Sequence, residues 1–304
     1  MDPMLLIALW LYGSVRGVGS ARELARLCTE SNPFRWLCGG VSVNHHTLSD
    51  FRVDHAQPLD DLFTQVIAVL VDKEVIKPER VSQDGTRTRA CAGASSFRGE
   101  ERLSKLLEQA KAHVQELRKK LDDPEQSARM SRRQKAAQER AARERVGQLE
   151  AALATLPGVK AQHDSAKERA GNGKYGQKLA KNQPRVSTTD PEARVMKMPD
   201  GGFRPAVNVQ YATDTQSRAI VGVDVSDSGS DKGLSEPMRK QVEERTGCKV
   251  NDHLMDGGFL VLAEIDRAAE SKVTVYAPPP KPRDPAKAGK QYEPKPSDSP
   301  ARLD

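Results

Sequence analysis

The chain has 304 residues, and its 48 lysines and arginines outnumber its 42 aspartates and glutamates, which gives a formal net charge of +6. With 37% hydrophobic and 4% aromatic residues, it can form one large domain or two modest ones. Its longest apolar run, Met4 to Tyr12, is far shorter than the roughly 20 residues of a membrane-spanning helix, which excludes a membrane protein. Cys28, Cys38, Cys91 and Cys248 are too few for a disulfide scaffold and match no zinc motif, so we expect reduced thiols in a cytoplasmic protein.

Residues 1–76 show helical patterns and are predicted to form an all-helical domain. Asp2 suits the cap of a first helix that is apolar on every side. A capping box begins at Ser20, and Thr47 is predicted to cap a later helix. Apolar residues at spacings of three and four predict the last helix of this domain, from Pro58 to about Val75.

Several arginines of this helical domain are candidates for contacts with DNA. Helices of the helix-turn-helix type use such residues at phosphates and groove edges, although surface arginines without a role would look the same in the sequence. The candidates are Arg16, Arg22, Arg26, Arg35 and Arg52.

Residues 97–190 are predicted to form a basic helical hairpin followed by a loose linker. Two apolar heptad seams, from Leu103 to Leu121 and from Ala142 to Leu156, flank a break at Asp122-Asp123-Pro124. We expect the second helix to end at Pro157-Gly158 and residues 160–190 to be loose. The segment has 21 basic and 13 acidic residues, which suits either a solvated coiled-coil face or contacts with DNA phosphates.

Residues 77–96 and 191–278 carry strand patterns that predict one mixed sheet. The first strand begins at Arg80 and is expected to end in an Asp84-Gly85 turn. A hairpin over 203–226, a helix, a strand that ends at Asp256, another helix and a last strand follow it. This is the strand order of a ribonuclease-H-like sheet, so we predict an α+β (or α/β) fold in which the first and fourth strands lie side by side in parallel. Residues 279–304 are rich in proline and lysine and are predicted to be a disordered tail.

This strand order predicts that Asp84 and Asp256 project from neighbouring strands on the same side of the sheet. Two carboxylates at such a distance repel each other unless a divalent cation lies between them, and Mg²⁺ suits this geometry. Each Asp-Gly pair alone would equally suit a turn. Asp224, within the hairpin, is predicted to be an exposed residue without a catalytic role.

Six short motifs occur in one order over most of residues 3–280. They are Leu9-Trp10-Leu11-Tyr12-Gly13, Phe34-Arg35-Trp36-Leu37-Cys38-Gly39-Gly40, His46-Thr47-Leu48-Ser49-Asp50-Phe51-Arg52, Asp84-Gly85-Thr86, Asp190-Pro191-Glu192-Ala193-Arg194 and Met255-Asp256-Gly257-Gly258-Phe259. Through these motifs the chain resembles the DDE transposases of bacterial insertion sequences, which have a ribonuclease-H-like catalytic core.

The resemblance implies that Asp84 and Asp256 are the first two acids of a catalytic, metal-binding triad. It also implies that the helical domain binds the terminal repeats of the element. The family's third acid is a glutamate on a helix beyond the fifth strand. Glu293 immediately precedes a proline, which disfavours a helix, so it is not assigned. Compared with the family, the chain is expected to be truncated at both ends.

The activity implied by the resemblance is Mg²⁺-dependent (or Mn²⁺-dependent) phosphodiester cleavage and strand transfer at terminal inverted repeats. The implied partners are double-stranded DNA, both repeats and target, and a second protomer in a DNA-bound homodimer, with no membrane and a nucleoid-associated cytoplasmic location. The alternative is a truncated, catalytically inactive remnant that at most binds DNA. A purely structural coiled-coil protein would rest on residues 103–156 alone and would not explain the two Asp-Gly strand ends.

Overall fold

The computed structural model describes residues 1–123 and 130–278 together with Ser299. The chain divides into two compact units, Met1–Ile76 and Lys77–Asp304. The predicted tail at 279–304, including Glu293, lies outside the described residues except for Ser299. None of the helices in the described ranges is long and apolar enough to cross a membrane.

The first unit consists of five helices around one apolar core. Leu9, Leu24 and Leu48 come from three different helices, and all three are fully buried in this core. Their burial explains why short helices of low intrinsic stability are held together here. The helices are α1 (Pro3–Val15), α2 (Ala21–Glu30), α3 (Asn32–Leu37), α4 (His45–Asp54) and α5 (Ala56–Asp72).

Three of these helices begin with side-chain caps. Asp2 Oδ1 accepts a hydrogen bond from the Met4 amide at 2.8 Å, and Ser20 Oγ accepts one from the Glu23 amide at 3.4 Å, which confirms the two predicted starts. The predicted cap at Thr47 is wrong. Asn44 Oδ1 instead accepts from the amide of the second residue of α4, at 3.0 Å. Asparagine is among the best capping residues, and using it adds almost a full turn to the helix.

The second unit is built on a mixed sheet, so the predicted α+β fold is confirmed. Its strands are β1 (Arg80–Arg89), β4 (Arg194–Lys197), β5 (Phe203–Asp214), β6 (Ile220–Ser226), β7 (Asp252–Leu254) and β8 (Thr274–Tyr276). A separate two-stranded sheet pairs β2 (Phe97–Arg98) with β3 (Val186–Ser187). In the main sheet β5 lies between β1 and the pair β4 and β6, and β7 and β8 continue beyond β1. Strand β1 runs antiparallel to β5 and parallel to β7, as expected for a ribonuclease-H-like sheet.

A helical hairpin is inserted between β1 and β5. It consists of α6 (Glu100–Asp122) and α7 (Arg132–Ala170), and a short helix α8 (Lys174–Lys181) follows. The ion pairs Lys111–Glu150 and Lys160–Glu100, at 2.8 and 2.7 Å, show that the two long helices are antiparallel. The break after Asp122 is therefore confirmed, although Pro124 lies outside the described residues.

The predicted end of the second hairpin helix is wrong. Pro157 lies inside α7, which continues to Ala170, and α8 occupies part of the segment expected to be loose. Proline removes only one backbone hydrogen bond. Before the proline, Leu149 and Leu156 are buried in one cluster with Leu103 of α6, and after it Val159 packs against the same cluster, so packing on both sides stabilises the helix through the proline.

Two further helices, α9 (Ser235–Thr246) and α10 (Leu262–Glu270), connect parallel strands of the main sheet. They contact each other, because Ser235 Oγ donates to Glu264 Oε2 at 2.5 Å. The connections from β6 to β7 and from β7 to β8 both run in the same direction across the sheet. Because such connections are right-handed, both helices lie on the same face of the sheet. Helix α9 packs closely there, since a Cβ on Gly222 would lie 2.7 Å from Met238 Sδ. We call the opposite face, which carries the exposed Asp84, the open face.

Candidate functional site

The register of the two parallel strands β1 and β7 decides where the predicted acids lie. Arg80 of β1 is opposite Asp252 of β7. The paired residues end at Ser82 opposite Leu254, and Asp84 and Asp256 each lie two residues beyond this last pair. Both aspartates are exposed, and each directly follows a buried residue, Gln83 in one case and Met255 in the other. Neighbouring strands are about 5 Å apart, so a shared cation requires the two chain segments to stay side by side for two residues beyond the last pair.

Asp84 lies in the middle of its strand, so the predicted turn at Asp84-Gly85 is wrong. Strand β1 continues to Arg89 and is paired with β5 as far as that residue. Gly85 is instead required by its close neighbours. A Cβ at position 85 would lie 2.7 Å from Asp231 Oδ1 and closer still to Gln210 Nε2, which itself donates to Asp231 at 2.9 Å. Glycine therefore allows a polar cluster to contact the backbone beside Asp84.

Each of the two carboxylates is held by an amide of its own chain. Asp84 Oδ1 accepts from the Gly85 amide at 2.7 Å, and Asp256 Oδ1 accepts from the Gly258 amide at 2.8 Å. A Cβ on Gly257 would lie 3.0 Å from the carbonyl oxygen of Pro278, so the turn after Asp256 requires a small residue. Within the described residues neither Oδ2 atom has a hydrogen bond. Each aspartate thus keeps one oxygen free.

Two aspartates with one free oxygen each fit part of a Mg²⁺ site. Mg²⁺ commonly binds to one or two carboxylates and keeps several waters. In the described ranges, however, no three His, Cys, Asp or Glu side chains come close enough together to hold a metal ion. The described residues therefore show no third acid beside either aspartate that would complete a group of three.

An ion pair flanks the carboxylate pair on the open face. Arg80 Nη2 lies 2.7 Å from Asp252 Oδ2, and its Nε donates to the same oxygen at 2.8 Å. The hydrogen bond with Asp252 raises the pKa of Arg80, so the guanidinium stays charged. Sequence reasoning did not identify this pair. The sequence signal that could have identified this ion pair is its spacing, because each partner precedes one of the two predicted acids by four residues.

The structure divides the five candidate arginines of the first unit into two groups. Arg26 forms ion pairs with Glu23 and Glu30, so its charge is compensated. The Arg52 guanidinium stacks over the Trp10 ring, 3.9 Å from its centroid, and so contributes to packing. The other three are exposed and form no ion pair within the described residues: Arg16, Arg22 and Arg35.

Comparison with known proteins gives one match. Residues 1–54, which contain α1 to α4, match the family model described as "Transposase domain (DUF772)". The match supports a relation to transposases and a transposase-type function for the chain. No curated protein and no solved structure matches the chain significantly.

Proposed function

We propose that this chain is a DNA transposase that cleaves phosphodiester bonds at the terminal inverted repeats of an insertion sequence and transfers the freed strand ends, with Mg²⁺ as cofactor. The observation that carries the proposal is the parallel pairing of β1 with β7, whose last pair lies two residues before Asp84 and two residues before Asp256, in a chain whose first 54 residues match a transposase domain. The strand order, which is that expected for a ribonuclease-H-like core, supports the same assignment.

In this proposal the two aspartates hold the cation through their free Oδ2 atoms, while their Oδ1 atoms stay bonded to backbone amides. The amides orient both carboxylates before the cation arrives, which reduces the entropy lost on binding. When bound, Mg²⁺ supplies a Lewis acid that activates water and stabilises the leaving oxygen. Terminal repeats bind to the exposed arginines of the first unit, Arg16, Arg22 and Arg35. A second protomer brings the other end of the element, so we expect a homodimer on DNA.

The test is cleavage of duplexes taken from the genomic DNA that borders the coding sequence. The purified chain with Mg²⁺ should nick one strand at a fixed position, which a denaturing gel resolves. Asp84→Asn should abolish the nick, because it removes a charged ligand and keeps the side-chain size. The matched control is Asp224→Asn, an exposed aspartate of another strand in the same sheet. Equal nicking by Asp84→Asn and wild type would contradict the proposal.

A second candidate function is DNA binding without cleavage. The observation that favours it is that no three His, Cys, Asp or Glu side chains of the described residues come close enough together to hold a metal ion. Losing one ligand of a three-carboxylate site removes orientation as well as charge. In this case the chain should bind the terminal duplex with equal affinity with and without Mg²⁺ and should cleave it with neither Mg²⁺ nor Mn²⁺.

A further inference from the structure

The two arms of the inserted hairpin neutralise much of their own charge. Three lysines distributed along α6 each lie within 2.8 Å of a glutamate carboxylate, on the same helix or on α7. These pairs are Lys105–Glu101 at 2.6 Å, Lys111–Glu150 at 2.8 Å and Lys120–Glu116 at 2.6 Å. Each of these pairs has no net charge.

The base of the hairpin differs from its arms. Residues 160–185 include seven lysines and arginines but only two acids, Asp164 and Glu168. Six of the basic residues, all except Lys160, are exposed and form no ion pair within the described residues, and we call the last four of them the basal surface. They are Lys174, Lys178, Lys181 and Arg185.

The spacing of the basal surface puts its lysines on one face of α8. Steps of four and three residues return to the same side of a helix, and seven residues span about 10 Å along its axis. The exposed residues beside them include the polar Gln177, Asn182 and Gln183. The result is a strip of uncompensated positive charge.

Helix α8 is fixed to the rest of the unit with this strip outward. A ring nitrogen of His163 forms a hydrogen bond with the Leu179 carbonyl oxygen at 3.1 Å. Gly176 is buried, and it lies so close to the Gly171 carbonyl oxygen that a Cβ at this position would not fit. The base of the hairpin is tied in turn to the main sheet. Asp227, just after β6, accepts from Arg194 at 2.8 Å and from Gln162 at 3.4 Å. The strip is therefore held in a defined position relative to the sheet.

Two cavities next to the basal surface extend the positive charge. One, of about 640 Å³, is lined by Arg98, Arg102 and Lys160, and the other, of about 700 Å³, by Lys181 and Arg194. Both share Arg185 as part of their wall. Some of these charges are compensated, because Lys160 is paired with a glutamate and Arg194 with an aspartate. The cavities add positively charged walls beside the strip.

We propose that the basal surface binds the sugar–phosphate backbone of double-stranded DNA. Phosphate contacts require positive charge and reach, and unpaired surface lysines gain the most from releasing the counterions of DNA. A protein partner is less suited, because lysine is depleted in protein–protein interfaces. The inference deepens the proposed function and rests on it: the inserted hairpin supplies a DNA contact outside the residues that match the transposase domain.

The test compares two triple variants of the full chain that each remove three positive charges. The basal variant carries Lys174→Gln, Lys178→Gln and Lys181→Gln, and the arm variant carries Lys105→Gln, Lys111→Gln and Lys120→Gln. Binding to a fluorescent duplex is measured over a salt series. The basal variant should bind at least about tenfold more weakly, with a slope of log affinity against log salt shallower by roughly 3, and the arm variant should stay near wild type. Equal effects of the two variants, or no effect of either, would overturn the inference.

A second measurement uses the wild-type chain and so does not depend on variant folding. Lysine acetylation is mapped by mass spectrometry with and without duplex DNA. The duplex should protect Lys174, Lys178 and Lys181 and leave the three arm lysines reactive. A parallel sample contains polyglutamate, a polyanion without sugar or base, in place of the duplex. Lack of protection by DNA, or equal protection by polyglutamate, would overturn the assignment to DNA.

The two proposals fail in distinguishable ways. If the basal variant binds DNA like wild type while Asp84→Asn still abolishes nicking, only the role of the basal surface is wrong. If the basal lysines are protected but wild type never nicks the terminal duplex, the DNA contact remains and the proposed cleavage is wrong.

Discussion

Arg80 and Asp252 form an ion pair between the parallel strands β1 and β7, four residues before Asp84 and Asp256 respectively, with 2.7 Å between Nη2 and Oδ2. The pair joins the strands at the point where the register is set. Because Asp252 binds this guanidinium, Arg80 does not neutralise the two exposed aspartates four residues further on. Their negative charges therefore remain available to a cation.

The first prediction concerns cation binding without DNA. Asp84→Asn and Asp256→Asn should each weaken Mn²⁺ binding by about tenfold or more, because each removes one of two charged ligands. The double variant should bind more weakly than either single one, because it removes both charged ligands. Electron paramagnetic resonance of free Mn²⁺ measures the affinity.

The control for this titration is Asp224→Asn, which should bind Mn²⁺ like wild type. If wild type and both single variants bind Mn²⁺ with equal affinity, the ion binds elsewhere on the chain. That result would refute a shared site at these two aspartates.

The order of the strands could be predicted from the sequence, but the role of Gly85 could not. Alternating side chains mark β5 and valines mark β6, and the helices between strands fix which strands run parallel, whereas the short strands β2, β3 and β4 were not predicted. Asp-Gly is a local turn signal, so it suggested a strand end. Only the folded sheet shows that Gln210 and Asp231, both distant in sequence, approach the backbone there. The predicted strand order singled out the two aspartates, and the resemblance gave them their expected catalytic roles.

Pro157 shows in a helix, as Gly85 does in a strand, that a local signal can be overridden by contacts between distant residues. Its local effect predicts a helix end. The helix continues because Leu156, beside it, is buried on the facing helix, and a contact between residues so distant in the sequence cannot be derived from local propensity. The heptad seams themselves were sufficient to predict the hairpin.

The second prediction concerns Gly85. Gly85→Ala should destabilise the second unit by about 1–3 kcal/mol, because the new methyl group would force Gln210 and Asp231 apart. Urea unfolding followed by circular dichroism gives the free energy of unfolding. Gly93→Ala is the control, since its Cβ would meet the nearest atom, Ser95 Oγ, at an ordinary 3.6 Å. A Gly85→Ala variant as stable as Gly93→Ala would show that the polar cluster can move at no cost.

The third prediction separates the arginines of the first unit. Arg22→Gln and Arg35→Gln should each weaken duplex binding and make its salt dependence shallower by about 1, because these exposed guanidiniums have no ion pair within the described residues. Arg26→Gln should change the affinity little, since Glu23 and Glu30 already compensate its charge. Fluorescence anisotropy over a salt series provides both quantities. The opposite ranking would mean that the ion pairs open when DNA binds.

The fourth prediction uses His253 of β7, which is fully buried. Within the described residues neither of its ring nitrogens has a hydrogen-bond partner. Burial, with a smaller contribution from the charge of Arg239, lowers the pKa of His253 to about 4. The unfolded chain, with an ordinary histidine pKa near 6.5, binds the proton more readily. The fold therefore has its full stability above about pH 6.5 and loses it as the pH falls towards 4, by up to about 3 kcal/mol.

His253→Leu removes this titration and two unpaired polar atoms, so the variant should be at least as stable as wild type at pH 7. Between pH 6.5 and 4 the variant should lose less stability than wild type, and the difference between the two curves isolates this histidine because every other carboxylate and histidine is common to both. Urea unfolding at several pH values measures the difference. Parallel curves across this range would show that the imidazole in the folded chain keeps its ordinary pKa, which would require a hydrogen-bond partner or water beside it.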